Sequence, residues 1–301
     1  MIITYNQEKL IGRALDSLLC QKEFIYEICI NDDCSKDNTW NVLQEYARNY
    51  PDLVKPVENE HNLGIFQNIE AVWKRPSGDM VYLMAGDDEC GRDYFKAVID
   101  CIKNKKIDYK NELFCIYGDY IQVFPDGKQV KYNNRAAEKN VPPIRLKLHG
   151  LIHDGMACYS IKILKKFKDV SDGFNYSVES VQDCQLSMFT DKNYYVPVVG
   201  SIYYAAIGVS VHANDKLEGR DKEMRKRLID FMNKENIPLD KKDLAFMNFK
   251  RELRTFSKER SIKSFFNVLH YYINSIDYRL GWDSLYIKDI WRAIQRRKYY
   301  Q

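Results

Sequence analysis

Apolar runs and helical periodicity alternate along the first 125 residues of the chain. Short strand-like runs are followed by segments whose apolar residues recur at helical spacing. The predicted strands are Ile2–Thr4, Glu27–Ile30, Val54–Val57, Met80–Met84 and Leu113–Val123. The predicted helices between them are Glu8–Cys20, Trp40–Tyr50, residues 65–72 and Tyr94–Lys103. Because strands separated by helices are typical of βαβ units, the pattern predicts an α/β fold with a Rossmann-like, mostly parallel sheet flanked by helices.

The pattern becomes less regular after the turn Pro125-Asp126-Gly127. The elements predicted next are a helix over Ile161–Phe167, a helix over Glu179–Thr190, a strand over Tyr194–Val199 and a strand over Ile202–Ile207. From Lys216 onward the spacing is helical with little strand character. We therefore predict two domains, a sheet-containing domain over residues 1–212 and a helical, basic C-terminal extension over residues 213–301.

The composition, 45% hydrophobic and 29% charged, is that of a soluble globular protein. No run approaches the roughly 18 consecutive apolar residues of a transmembrane helix. The N-terminus lacks the basic flank and long apolar region of a signal peptide, so we expect a cytosolic protein. Residues from Val211 onward carry 21 Lys and Arg against 13 Asp and Glu, a formal charge of +8, whereas the preceding 25 and 29 make −4. This asymmetry indicates two functional zones.

The eight cysteines are scattered, without a Cys-x-x-Cys pair or a Cys/His cluster. This spacing is not that of a zinc site, and a disulfide framework is not expected in a chain of this length without export. Several of the cysteines lie in apolar contexts, so we expect buried thiols.

Four acidic stations lie between residues 32 and 183, namely Asp32-Asp33, Asp87-Asp88, Glu179 and Asp183. The first two are carboxylate pairs that directly follow predicted strands. Ligands of open α/β sheets bind outside the carboxyl ends of the strands. Paired carboxylates at that edge can hold a divalent cation together with a phosphorylated substrate.

All of these acidic positions except Glu179 belong to a series of five short motifs. In chain order they are Thr4-Tyr5-Asn6-Gln7-Glu8, the run from Asn31 to Thr39, Asn62-Leu63-Gly64 with Asn68, Gly78-Asp79 leading to Gly86-Asp87-Asp88, and Gln182-Asp183-Cys184-Gln185-Leu186. Each motif alone is weak, but together they resemble the family 2 glycosyltransferases, which have the GT-A fold. The resemblance covers residues 1–210, and it implies a GT-A nucleotide-sugar-binding and catalytic domain.

The resemblance also implies roles for individual residues. Asp88 is the expected ligand of Mg²⁺ or Mn²⁺, and Asp87 is expected to face the ribose of the donor. Asp33 corresponds to the carboxylate that contacts the nucleotide base, while Thr4 and Tyr5 form the other wall of that pocket. A hard cation suits this reaction because the diphosphate leaving group gains charge as the bond to the sugar breaks.

Asp183 is the expected general base, because inverting transfer needs a group that removes the proton of the acceptor hydroxyl. The family usually has Glu-Asp at this place, whereas this chain has Gln182-Asp183. Glu179, one helical turn earlier, is an alternative base or a supporting residue. The Asp32 carboxylate is expected to brace its turn or to contribute to the site.

Three further positions bear on the site. Asp154-Gly155-Met156-Ala157 lies where family members line the acceptor side, although an ordinary loop explains it equally well. Family members often have an Arg and a His facing the diphosphate where this chain has Tyr204 and Ala206. His212 could take over that contact or lie on the surface.

The resemblance predicts a non-processive, inverting, metal-dependent glycosyltransferase that uses a nucleotide-diphosphate sugar. The acceptor would be a saccharide or a lipid-linked saccharide, in the assembly of a bacterial surface polysaccharide. A nucleotidyltransferase is the first alternative, but its glycine-rich basic loop after the first strand is not found here. A non-catalytic nucleotide-sugar-binding module is the second.

The C-terminal residues 282–301 show a separate pattern. Ile287, Ile290, Trp291 and Ile294 recur at helical spacing and precede a basic run. An amphipathic helix of this kind can lie on an anionic membrane surface, at the inner face of the plasma membrane, or can pack on the catalytic domain. No recognition motif for nucleic acid accompanies the basic residues, so no nucleic acid partner is expected.

Overall fold

The computed structural model describes residues 1–152, 157–168, 181–205, 220–277, 279–280, 290–291 and 294, with the backbone alone for residues 182–183 and 220–224. Its strands are β1 (Ile2–Thr4), β2 (Ile28–Asp32), β3 (Val54–Glu58), β4 (Met80–Tyr82), β5 (Met84–Ala85), β6 (Glu89–Cys90), β7 (Phe114–Val123), β8 (Gln129–Tyr132), β9 (Cys158–Ser160) and β10 (Lys192–Tyr204). Its α-helices are α1 (Ile11–Leu19), α2 (Thr39–Asn49), α3 (Ile65–Trp73), α4 (Tyr94–Lys105), α5 (Pro143–Leu148), α6 (Ile161–Leu164), α7 (Val181–Phe189), α8 (Arg220–Lys234), α9 (Lys241–Glu259) and α10 (Ile262–Ser275). Two short 3-10 helices span Lys22–Phe24 and Arg135–Glu138.

The first sheet contains four parallel strands in the order β3-β2-β1-β5. Strands β1 and β2 are buried along their whole length, as expected of parallel strands covered on both faces. Helix α1 packs its buried face, formed by Ile11, Ala14, Leu15 and Leu18, into the same apolar cluster. The predicted α/β fold with helices flanking a parallel sheet is confirmed.

The second sheet has the order β4-β9-β7-β10-β6, with β8 paired to β7. Its central pair β7–β10 is parallel, and its other pairs are antiparallel. The two predicted late strands are one strand, β10, whose described part continues to Tyr204 across irregular pairing between Tyr195 and Ser201. The irregularity interrupts the side-chain alternation without ending the pairing, and this is why two strands were predicted.

The predicted strand Met80–Met84 is also divided. Met80–Tyr82 pairs with β9 in the second sheet, whereas Met84–Ala85 pairs with β1 in the first. The chain therefore passes from one sheet to the other at Leu83. An apolar run reports burial but not the identity of the neighbouring strand, so the sequence could not show this transfer.

The C-terminal helices are joined to the sheet-containing part by a buried apolar cluster. Its members come from α5, α7, α8 and α9, and they are Ile144, Leu148, Val181, Cys184, Met188, Leu228, Met232 and Met247. The predicted domain boundary at residue 212 lies outside the described residues, so the division at that point stays a prediction. None of the described helices is long and apolar enough to span a bilayer.

A buried ion cluster reinforces this junction. The Arg145 guanidinium on α5 contacts Asp243 on α9 at 2.8 Å and Asp277 at 3.0 Å, and His149 Nε2 lies 2.9 Å from the Asp243 carboxylate. Burial raises the pKa of Asp243, but hydrogen bonds from His149 and Arg145 outweigh this and hold it below its ordinary value of 3.8. Hydrogen bonds from Arg279 and Arg145 hold the pKa of Asp277 well below that value.

Replacing Arg145 with alanine is expected to destabilise the protein by about 3–5 kcal/mol, because the carboxylates of Asp243 and Asp277 would stay buried without this partner. Urea denaturation near neutral pH measures the loss. Both carboxylates have lowered pKa values, so their contribution is present above pH 3.8 and disappears as the pH falls below it. Acidification should therefore reduce the difference in the free energy of unfolding between the variant and the wild-type chain.

Lys96→Ala is the matched control, since it removes an exposed ion pair to Asp100 on α4. It should cost less than about 0.5 kcal/mol. If both variants lose the same free energy of unfolding, the buried cluster stabilises the protein no more than a surface ion pair does.

Candidate active site

The loops that follow β1 and β2 are joined by hydrogen bonds at the carboxyl edge of the first sheet. The Asn6 backbone, at φ 52°, places its N–H 2.9 Å from Ser35 Oγ, and Asn6 Oδ1 accepts from the Lys36 N–H at 2.7 Å. The Gln7 N–H donates to Thr39 Oγ1 at 2.8 Å. These bonds hold the segment that contains Thr4 and Tyr5 against the Asp32-Asp33 turn, as the predicted nucleotide pocket requires.

The two carboxylates of that turn have different partners. Asp32 accepts hydrogen bonds from the N–H and the hydroxyl of Ser35, and so braces the turn. Asp33 accepts from the N–H groups of Leu63 at 2.8 Å and Gly64 at 2.9 Å, and from Asn59 Nδ2 at 2.9 Å. These bonds occupy three of the roughly four acceptor positions of a carboxylate. Asp33 therefore fixes the loop before α3 and retains capacity for one more donor.

Gly86 brings the Asp87-Asp88 turn against β1. A Cβ at this position would lie 2.5 Å from Gln7 Oε1 and 2.9 Å from both Thr4 Oγ1 and Ile11 Cδ1, so a larger residue would displace these side chains. The Gly86 N–H extends the pairing by donating to the Ile3 carbonyl at 2.9 Å. Thr4 Oγ1 in turn donates to Gln7 Oε1 at 2.7 Å. The structure thus joins the first motif directly to the fourth.

Asp88 is the most enclosed carboxylate of this turn, with 5% of its surface exposed. Its Oδ1 accepts a hydrogen bond from the Tyr204 N–H at 3.1 Å, which ties it to the end of β10. Burial and the adjacent Asp87 carboxylate raise the pKa of Asp88 to about 7. Burial also raises the pKa of Asp87, against a hydrogen bond from Gln7.

Arg13 supplies a cation beside this turn that the sequence did not indicate. Its Nη2 donates to the Asp87 carbonyl at 2.5 Å, and its guanidinium lies 3.6 Å from the Tyr204 ring centroid. Its Nε lies 3.1 Å from Glu89, which also accepts from the Tyr204 hydroxyl. Family members often have an Arg near the position of Tyr204, and here Arg13 of α1 brings a guanidinium to that place. Its position on the polar border of α1 carries no signal of this contact.

Three tyrosines form a half-buried aromatic face on the second sheet. The Tyr120 ring centroid lies 5.5 Å from that of Tyr132 and 6.2 Å from that of Tyr203. Burial raises the pKa of Tyr120, and the charge of Asp88 contributes in the same direction. Aromatic surface beside a few polar groups is the usual composition of a small-molecule site. The sequence did not single out these tyrosines.

The donor atoms of the turn fit a magnesium or manganese ion. No group of three or more His, Cys, Asp or Glu side chains gathers in the part of the chain that the structure describes. Such a cage is not needed, because Mg²⁺ usually binds one or two carboxylates and completes its shell with substrate phosphates and water. Asp87 and Asp88 provide two adjacent carboxylates, and that of Asp88 is buried. Asp88 is the better placed ligand because β10 orients it.

The structure locates the backbone of the predicted base but not its side chain. Asp183 lies in the first turn of α7, whose neighbours Val181 and Cys184 are buried. Gln185 anchors the helix, since its side-chain amide exchanges hydrogen bonds of 2.7 and 2.8 Å with the backbone of Lys168. Glu179, residues 154–156, Ala206 and His212 lie outside the described residues.

Replacing Gly86 with alanine is expected to weaken donor binding and to destabilise the protein by about 1–3 kcal/mol, because the added methyl group overlaps Gln7 and Thr4. Thermal denaturation and nucleotide titration measure the two effects. Gly78→Ala is the control, since its Cβ meets the nearest atoms only at 3.7 and 3.8 Å. If both variants behave alike, the close approach at Gly86 does not shape the site.

Comparison with known proteins assigns the family. The model of Glycosyl transferase family 2 matches residues 1–167, more than half of the chain. The chain belongs to glycosyl transferase family 2. The matched residues include β1, β2 and the Asp87-Asp88 turn, whereas α7 and the C-terminal helices lie beyond them.

Individual relatives of this family 2 chain match only in part. An uncharacterized protein of Mycobacterium tuberculosis H37Rv is 40% identical over 87 residues, which are 29% of this chain and 25% of that protein. The dTDP-rhamnosyl transferase RfbG of Shigella flexneri is 28% identical over 131 residues, 42% of this chain and 43% of that protein. The matches therefore span less than half the length of these relatives.

A solved structure extends the likeness over almost the whole family 2 chain. Residues 1–349 of S. aureus TarS, in complex with UDP-GlcNAc, align with a TM-score of 0.61 and 19% identity. The alignment covers 98% of this chain and 87% of that one. At this identity the likeness shows the fold, which is GT-A.

Proposed function

We propose that the protein transfers a sugar from a nucleotide-diphosphate sugar to an acceptor hydroxyl, with inversion and with the help of Mg²⁺ or Mn²⁺. In this proposal Thr4, Tyr5 and Asp33 surround the nucleotide base, and Asp87 faces the ribose. Asp88 holds the cation, and Asp183 removes the proton of the acceptor. Family membership supports the reaction class.

The observation that carries the proposal is the burial of Asp88 beside Asp87 at the carboxyl edge of the parallel sheet. This edge is where open α/β sheets bind their ligands. The loops after β1 and β2 converge there through the hydrogen bonds of Asn6 and Gln7. A buried carboxylate beside a second, half-buried one is costly for a fold and has its use in binding a cationic or phosphorylated ligand.

Asp88, Arg13 and Tyr204 have different roles in the departure of the donor's diphosphate. A cation held by Asp88 would stabilise the negative charge that develops on the diphosphate as the leaving group departs. Arg13 holds the turn through the Asp87 carbonyl and adds positive charge close to the same place. Tyr204 orients the Asp88 carboxylate through its backbone N–H. The site thus presents a fixed electrostatic environment before the substrate binds.

The acceptor reaction is assigned to the other side of the site. An inverting displacement needs a base within hydrogen-bond reach of the attacking hydroxyl, and an Asp at a helix start can serve if the helix is firmly held. Helix α7 meets this condition through Gln185 and the apolar cluster that it shares with α5 and α8. The face formed by Tyr120, Tyr132 and Tyr203 would then contact a saccharide.

The names of the relatives support the proposed biological setting. RfbG is named as a dTDP-rhamnosyl transferase, and the TarS structure contains UDP-GlcNAc. A role in bacterial surface polysaccharide assembly, with a saccharide or lipid-linked saccharide as acceptor, agrees with these names. Membrane contact through residues 282–301 would bring the enzyme to such an acceptor, and the exposed side chains of Trp291 and Ile294 support it.

A thermal-shift screen of UDP-, dTDP- and GDP-sugars, with and without Mn²⁺, tests the proposal. A donor present at a hundred times its dissociation constant stabilises the folded state by about 2.7 kcal/mol, which is a shift of several degrees in Tm. The shift should be larger with Mn²⁺, and the selected donor should be hydrolysed slowly without an acceptor. Absence of any shift across the panel would contradict the proposal.

A further inference from the structure

Helix α10 presents an apolar face to solvent. Its inward positions include the small polar residues Ser264 and Ser275, with Val268 between them in the apolar cluster that α10 shares with α9. Tyr271 and Tyr272 pack against the same cluster, and a second set of large apolar side chains lies on the opposite side. Amphipathic helices on globular proteins usually point an apolar face to the core and a polar face to solvent, so a second apolar face that points to solvent is unusual.

The exposed apolar residues form one continuous stripe. They are Ile262, Phe266, Ile273 and Ile276, and with the half-buried Leu269 they recur at spacings of four and three residues. The exposed fractions are 78% for Ile262, 63% for Phe266, 64% for Ile273 and 42% for Ile276. At 1.5 Å per residue the stripe is about 21 Å long. Single exposed apolar residues are common, but an aligned series of this length indicates a contact surface.

The charge around the stripe is positive. Lys263 is exposed beside it, and α10 contains no Asp or Glu. Lys258, Glu259 and Arg260 precede the helix and add a net positive charge. Near this end lies Ile294, whose carbonyl accepts a hydrogen bond from Arg260 Nη1 at 3.2 Å.

We propose that the stripe of α10 is a docking surface for an anionic lipid bilayer, with the helix lying in the plane of the interface. Apolar side chains at the centre and lysines at the border are the composition of interfacial helices. Lys and Arg side chains near an anionic surface add electrostatic attraction to the burial of the apolar groups. The proposal extends the membrane contact of the proposed function to a second element, and it depends on none of the transfer chemistry.

A second copy of the chain is the competing occupant, and the observations favour it less. Helix pairs joined by a stripe with this spacing normally extend over three to four heptads, whereas this stripe covers about two. Pairing of two α10 helices would also bring the two copies of Lys263 close together, without an acidic residue of either helix to meet them. An anionic bilayer complements that charge.

Vesicle sedimentation of the full chain tests the proposal without any sugar substrate. The wild-type protein should bind phosphatidylcholine vesicles that contain phosphatidylglycerol and should bind pure phosphatidylcholine weakly. The double substitution Phe266→Ser with Ile273→Ser should lower the partition coefficient at least about ten-fold, because two large apolar groups leave the interface. Its Tm should match that of the wild-type protein, since neither side chain is buried.

Two controls separate the surfaces. Tyr26→Ser removes a ring that is 74% exposed before β2 and should leave vesicle binding unchanged. Trp291→Ser reports on residues 282–301.

The proposal is overturned if the wild-type protein does not bind anionic vesicles, or if the double variant binds as well as the wild type. Dissociation of a wild-type dimer by the double substitution, without vesicle binding, would assign the stripe to a second copy. Donor binding in the thermal-shift screen is independent of all these outcomes.

Discussion

Replacing Asp88 with alanine should reduce both sugar transfer and donor hydrolysis by at least about a thousand-fold. The variant loses the carboxylate that holds the cation, and with it the stabilisation of the departing diphosphate, an effect of several kcal/mol on the barrier. Asp88 is suited to this role because the Tyr204 N–H orients it and Asp87 stands next to it. Steady-state kinetics with the donor selected by the thermal-shift screen measure the loss.

The same substitution should not lower the thermal stability. The pKa of Asp88 is raised to about 7, so the ionised carboxylate is less favourable in the folded protein than in the unfolded chain near neutral pH. Removing it therefore costs function without costing stability. Asp93→Ala is the matched control, because this exposed carboxylate makes no side-chain cap to α4 and lies outside the turn. Full activity in Asp88→Ala would remove the metal role from this residue.

Replacing Asp183 with asparagine should lower the rate of transfer by about 10²- to 10⁴-fold, the range for loss of a general base. Asparagine has nearly the same shape, so α7 should keep its packing through Val181 and Cys184. Donor affinity and the manganese-dependent rise in Tm should therefore stay close to those of the wild type. This separation of binding from turnover is the expected signature of a base on the acceptor side.

Two neighbouring variants make this result specific. Gln182→Glu restores the usual pair of acidic residues and should keep or increase activity. Glu179→Gln should have a small effect. If Asp183→Asn remains fully active while Glu179→Gln is impaired, the base is Glu179, and the departure at Gln182 marks a rearranged acceptor site.

The local pattern was sufficient for the helices α1–α4 and for the strands β1, β2, β3 and β7. The predicted helix Tyr94–Lys103 and strand Leu113–Val123 agree closely with α4 and β7, because long periodic segments carry a strong signal. The short strands β6, β8 and β9 were missed, since two to four residues are too few to show a period. Six of the eight cysteines are buried, as their apolar contexts predicted.

The motifs placed the carboxylates at strand ends, but their partners depend on residues far apart in the chain. Asp33 is bonded to the loop at residues 62–64, and Asp88 is bonded to Tyr204. Arg13 reaches the Asp87 turn across 74 positions of sequence. A periodic pattern records which face of an element is buried and contains no information about which distant residue lies against it.

The amino-acid sequence alone was enough to establish the α/β class, the carboxylate stations and the family resemblance, because these depend on local spacing and on short motifs. The three-dimensional packing decided three other features: the transfer of the chain between sheets at Leu83, the Arg13 contact, and the outward apolar stripe of α10. The periodicity of α10 is that of an ordinary packed helix. The exposure of Ile262, Phe266 and Ile273 in the folded chain is what shows that a second apolar face of α10 points outward.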